Sequence, residues 1–114
     1  MNSQSIEKHI DDCLAYSKKN MFSKPEKSLK KITEIEDLAL SSKHKYLNVL
    51  RHKAMALQHL CNWDESLVVF FKLKSLHEKE KLRDRFYAGA MENIAMIYNK
   101  FIIIFACVKI FCFI

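Results

Sequence analysis

The chain has 114 residues, half of them apolar, and 19 Lys+Arg against 13 Asp+Glu leave a formal net charge of +6. One Gly and one Pro in the whole sequence exclude a turn-dense β fold, because hairpins and sandwiches need left-handed and rigid turn positions at short intervals. The length suits one domain, or about two and a half to three helical hairpins.

The first predicted helix runs from Ile6 to about Asn20, with Ile6, Ile10, Cys13, Leu14 and Ser17 on one 3.6-residue stripe. Ser23-Lys24-Pro25-Glu26 reads as a capping box with Pro in the first turn, so a second helix starts there. Leu29, Ile32, Ile35 and Leu38-Ala39 give its inner face, and Ser41-Ser42 with Lys43-His44-Lys45 its polar stop. The third carries Leu47, Leu50, Ala54, Leu57 and Cys61 inward and ends at Asn62. Asn62 or Asp64 is placed to cap the fourth, whose stripe is Leu67, Phe70, Leu73 and Leu76 or His77. The mixed-charge run from His77 to Arg85 reads as an exposed helix end and a turn. A fifth helix follows from about Arg83, with Phe86, Ala90, Met91, Ile94, Ala95, Tyr98 and Phe101 inward.

Small residues recur in register. Ala54 precedes Ser66 by 12 residues, Ala15 precedes Ser28 by 13, and Ala54 to Ala95 is 41. Such pairs mark where two helices of a hairpin approach most closely. Ser66-x3-Phe70 and Met91-x2-Ile94-Ala95-x2-Tyr98 match the A-x3-F and W-x2-L-G-x2-Y signatures, so the chain resembles the tetratricopeptide repeat (TPR) superfamily with a period near 40. That resemblance implies an all-α array of about five helices in antiparallel hairpins, covering residues 1–100, whose concave face holds another polypeptide. Trp63 is expected to anchor the turn before the fourth helix.

Among long-period arrays, Ile6-Glu7-Lys8, Glu26-Lys27-Ser28-Leu29 and the stretch from Asn93-Ile94-Ala95 to Asn99-Lys100-Phe101 resemble the N-terminal repeats of the rapsyn family, scaffolds that cluster acetylcholine receptors at the synapse. The resemblance spans about residues 5 to 101. It implies a cytoplasmic scaffold, peripheral at the postsynaptic membrane, that binds a receptor's cytoplasmic segment and self-associates. Position 2 is Asn2 where that family is acylated on Gly, so the acyl anchor is not carried over.

Residues 101–114, FIIIFACVKIFCFI, break the pattern. The favoured reading is the end of a truncated or alternatively spliced product, since a β-branched and aromatic run with no gatekeeper charge at its end is an aggregation hazard. A sixth, unusually apolar helix packed over the fifth is a second reading. The third is a tail-anchored membrane adaptor, against which stand a reach of about 21 Å, short of the ~30 Å hydrocarbon core, and Lys109 in the middle.

No catalytic motif is present: there is no Gly-rich phosphate loop, no G-x-S-x-G and no H-E-x-x-H. The chain therefore reads as a non-enzymatic binder without a cofactor. Cys13, Cys61, Cys107 and Cys112 read as reduced core fillers, and His52, His59 and Cys61 lack the spacing of a metal site. Nucleic acid is disfavoured, because the lysines have no interleaved aromatic platform. Positions off the core stripes are expected on the concave face: Asp12, Tyr16 and Lys19; then Asn48, Arg51, His52, Met55 and His59; then Glu92, Asn93 and Met96. Arg51 with Asn48 and Lys19 has the chemistry to clamp a carboxylate, and Met55 and Met96 offer adaptable apolar contact.

Overall fold

The computed structural model describes residues 3–113, leaving the side chains of Ser3, Lys43, His44 and residues 108–113 aside. The expectations placed on Lys109, on Cys112 and on the Lys43 and His44 side chains thus lie outside the described residues. The fold is all-α: α1 (Ser3–Asn20), α2 (Pro25–Ile35), a 3-10 turn (Leu38–Ser41), α3 (Lys43–His59), α4 (Trp63–Lys79) and α5 (Arg85–Phe113). Each helix packs mainly on its neighbours in sequence, α1 on α2, α2 on α3, α3 on α4 and α4 on α5. This is the quasi-one-dimensional order of a hairpin array.

The ends of the helices depart from the expected chemistry. Pro25 occupies the first turn of α2, where its missing N–H costs nothing. Ser23 forms no capping box, since the cap residue is Lys24 and no side-chain cap bond forms. Likewise Asn62 opens α4 through its backbone carbonyl, which accepts the Ser66 N–H at 2.9 Å, with no side-chain cap. α2 stops at Ile35, short of the expected Ala39, and the 3-10 turn buries Ala39 instead. Cys61 is exposed at φ 62, the left-handed residue that ends α3, with the Asn62 N–H donating back to the Leu57 carbonyl at 2.9 Å. It is no core filler, and neither is exposed Cys107. Cys13 is buried, and that burial pushes its thiol pKa up.

Two clusters form the core. One joins Ile10, Cys13, Leu14, Ile32, Ile35, Ala39 and Val49; the other joins Leu50, Ala54, Leu57, Phe70 and Leu73 to Ala90, Ile94 and Ile97 of α5. The small-residue register is partly moved. Ser66 Oγ donates to the Ala54 carbonyl at 2.8 Å, as close an approach as expected. In the first hairpin, however, Ser28 Oγ donates to the carbonyl of Ser17 at 2.9 Å, and Ala15 is exposed. The hairpin contact lies on the stripe of buried residues, and Ser17, not Ala15, lies on that stripe.

α5 runs unbroken across residues 100 and 101. What changes there is burial. Ala90, Ile94 and Ile97 pack inward, whereas Phe86, Met91, Ala95, Tyr98 and Phe101, all expected inward, are exposed. α4 gives α5 one covered face only.

Candidate peptide groove

Three contiguous clefts run along the α3 surface toward the start of α5, and Arg51 and Phe86 line all of them. The cleft at the α4–α5 turn has a volume of about 280 Å³. Two guanidinium groups lie against the Phe86 ring, with Arg51 Cζ 4.7 Å and Arg85 Cζ 4.9 Å from its centroid. Cation–π contacts of this kind orient both cations on one aromatic plate.

The start of α5 sets that plate. Asp84 Oδ1 accepts the N–H groups of Phe86 at 3.1 Å and Tyr87 at 3.0 Å, a side-chain N-cap. The preceding turn is closed by buried His77, whose Nδ1–H donates to the Leu82 carbonyl at 2.9 Å, and by Lys81 at φ 57. Across the cleft, Arg51 Nη2 donates to Asn48 Oδ1 at 2.6 Å. Asn93 Nδ2 donates to the Gly89 carbonyl at 2.8 Å on the α5 side.

Among the described residues, neither Arg51 nor Arg85 has a carboxylate within ion-pair distance. Burial, and then the nearby Arg85, lower the Arg51 pKa. A carboxylate beside the Arg51 guanidinium would offset both effects and match the planar fork of Arg. Lys18 joins the two arginines at the α1 end of the groove.

Of the residues expected on the concave face, the clefts bring together Asn48, Arg51, His52, Met55 and Asn93. Asp12, Tyr16, Lys19, His59, Glu92 and Met96 do not line them. Tyr16 lies toward α2, its ring 5.5 Å from Lys31 Nζ, and the His59 ring meets Phe22 at 4.9 Å. His52 is mostly a core residue. Its Nδ1 shares a 2.9 Å hydrogen bond with Ser17 Oγ, joining α3 to α1, and burial with nearby Arg51 and Lys18 lowers its pKa to about 4. It is therefore neutral at pH 7. Among the described residues no three His, Cys, Asp or Glu side chains converge on a common point.

Lys18, Arg85 and Phe86 escaped the sequence reading as groove residues. Arg85 and Phe86 open α5 just after the charged run, and nothing local to the sequence aims them at Arg51. The stacking of α5 on α4 does so. Comparison of the chain with protein-family models, with curated proteins and with solved structures finds no match.

Proposed function

We propose that this chain is a non-enzymatic, TPR-like scaffold that holds an acidic polypeptide segment in the groove between α3 and the start of α5. The observation that carries this reading is the Arg51–Phe86–Arg85 cluster, two guanidinium groups against one ring with no carboxylate within ion-pair distance among the described residues. Arg51 and Arg85 would grip a carboxylate through paired N–H donors, Asn48 and Asn93 would take peptide carbonyls, and Met55 would adapt to an apolar side chain. The rapsyn-like layout suggests the cytoplasmic segment of a receptor as the natural occupant. A second property favoured by a specific observation is self-association through Met91, Ala95 and Tyr98, an exposed stripe on α5 where a further hairpin helix would stack.

The test is fluorescence anisotropy with a labelled peptide of alternating Glu and Leu and with its Gln-for-Glu analogue. Native chain is expected to bind the acidic form at least about tenfold more tightly, a preference that Arg85→Glu removes while far-UV circular dichroism stays unchanged. Equal binding of both peptides, or an Arg85→Glu chain that binds as native does, would refute the groove assignment.

A further inference from the structure

Where α5 leaves the body, its surface changes character. Through Ile97 the helix keeps one face against α4. From Phe101 to Cys107 seven successive residues are exposed, with Ile102 65% and Phe105 62% accessible, and none of them is polar. Seven residues make about two helical turns, so the apolar surface points in every direction. A stacking helix or a second copy of the chain would cover one side of such a rod and leave the others in water. Runs of this kind are tolerated only where function requires them. A medium that surrounds the helix covers all sides at once.

The body presents a fitting surface where the rod emerges. Lys100 Nζ stands 5.6 Å over the ring of Trp63, the first residue of α4, which fixes the exit point beside the α3–α4 turn. The α1–α2 turn is at the same end, because the Phe22 ring meets His59 at 4.9 Å. Phe22 is 79% exposed there. Lys18 and Lys19 in the last turn of α1, Lys24 and Lys27 at the start of α2 and Lys100 at the exit point are all exposed, against Glu26, Asp64 and Glu65. An apolar rod leaving an end of the body that carries an exposed aromatic and an excess of lysines is the pattern of an interfacial anchor.

We propose that the part of α5 beyond Lys100 inserts into an anionic bilayer, with Phe22, Trp63 and the lysines of the same end of the body resting among the headgroups. Arg85–Cys107 is long and apolar enough to cross a membrane by length and composition, at mean hydropathy 1.3. Its first part is committed to the body through Ala90, Ile94 and Ile97.

The chain has a single Trp, so its emission reports the collar alone. Full-length protein would be mixed with phosphatidylcholine vesicles containing phosphatidylserine and floated on a density gradient. Native chain is expected to float, with Trp63 emission shifted to the blue and quenched by lipids brominated near the headgroup more than by lipids brominated near the chain ends. Ile103→Asp, and separately Phe105→Asp, are expected to lower partitioning about a hundredfold with unchanged circular dichroism, since both residues are exposed. Lys24→Glu and Lys27→Glu should each cost about fivefold, and only on vesicles with phosphatidylserine. Arg51→Glu should float as native does, which separates this anchor from the peptide groove. Three results would overturn the proposal: both Asp variants floating normally, Trp63 quenched best by deep bromines or by none, or a native chain that stays off vesicles as a dimer which Ile103→Asp dissociates.

Discussion

α3 and α5 carry the same pattern and meet different fates. In α3, Val49 and His52 face the first hairpin while Leu50, Ala54 and Leu57 face α4, and all five are buried. In α5, 41 residues on, Ala90 and Ile97 repeat the positions of Val49 and Ala56 and are buried against α4, but Met91, Ala95 and Tyr98 repeat Leu50, Ala54 and Leu57 and are exposed. The difference is the neighbour. A hairpin helix has two faces to cover, and α5 has one helix to cover them. The pattern of a helix states what it can bury, and the next element in the array decides what it does bury.

The sharpest way to break this comparison is a matched pair. Ala54→Arg puts a charge where no space exists, beside a backbone carbonyl that Ser66 approaches to 2.8 Å. We expect a loss of at least about 3–5 kcal/mol in urea titration, enough to unfold the array. Ala95→Arg, at the matching position of α5, should change stability by less than about 0.5 kcal/mol. Equal costs at the two sites would mean that α5 has a covered second face, or that the register of 41 is wrong.

The pH dependence comes next in size. His52 has its pKa lowered from 6.5 to about 4, so the unfolded chain binds the extra proton first. Stability is complete above pH 6.5, falls as pH drops from 6.5 toward 4, and levels off below, a total of up to about 3 kcal/mol from this residue. Thermal melts across that window would measure it. His52→Gln should flatten the curve there, because an uncharged amide has nothing to protonate. An unchanged slope in His52→Gln would show that burial beside Arg51 and Lys18 does not hold the imidazole neutral.

Smaller effects refine the account of the second helix pair. Asp84→Ala removes the cap that aims Phe86 at Arg51, and we expect about 1 kcal/mol of destabilisation together with weaker peptide binding. Gly89→Ala should stabilise α5 by about 0.5–1 kcal/mol, since an added Cβ there meets nothing within 4 Å and Gly weakens a helix interior. The exposed Lys45–Asp11 pair, at 2.6 Å between α3 and α1, should be worth less than about 1 kcal/mol in a double-mutant cycle.

The sequence by itself determined the helices. Periodic Ile10, Cys13, Leu14, Ser17 and Leu50, Ala54, Leu57 placed the inner stripes, Pro25 placed the start of α2, and the Ala54–Ser66 spacing placed the closest approach of the second hairpin. These are local properties, fixed by 3.6-residue geometry and by the size of a side chain. Tertiary structure alone decided three things: that Ser17 and not Ala15 meets Ser28, that Tyr16 turns toward Lys31, and that Arg85 and Phe86 come to Arg51. Each depends on how far one helix is rotated against another, and rotation by a single residue, about 100°, carries a side chain from groove to core or to the opposite face. That angle is set by the sum of many packing contacts across elements, none of which is written in the neighbouring residues.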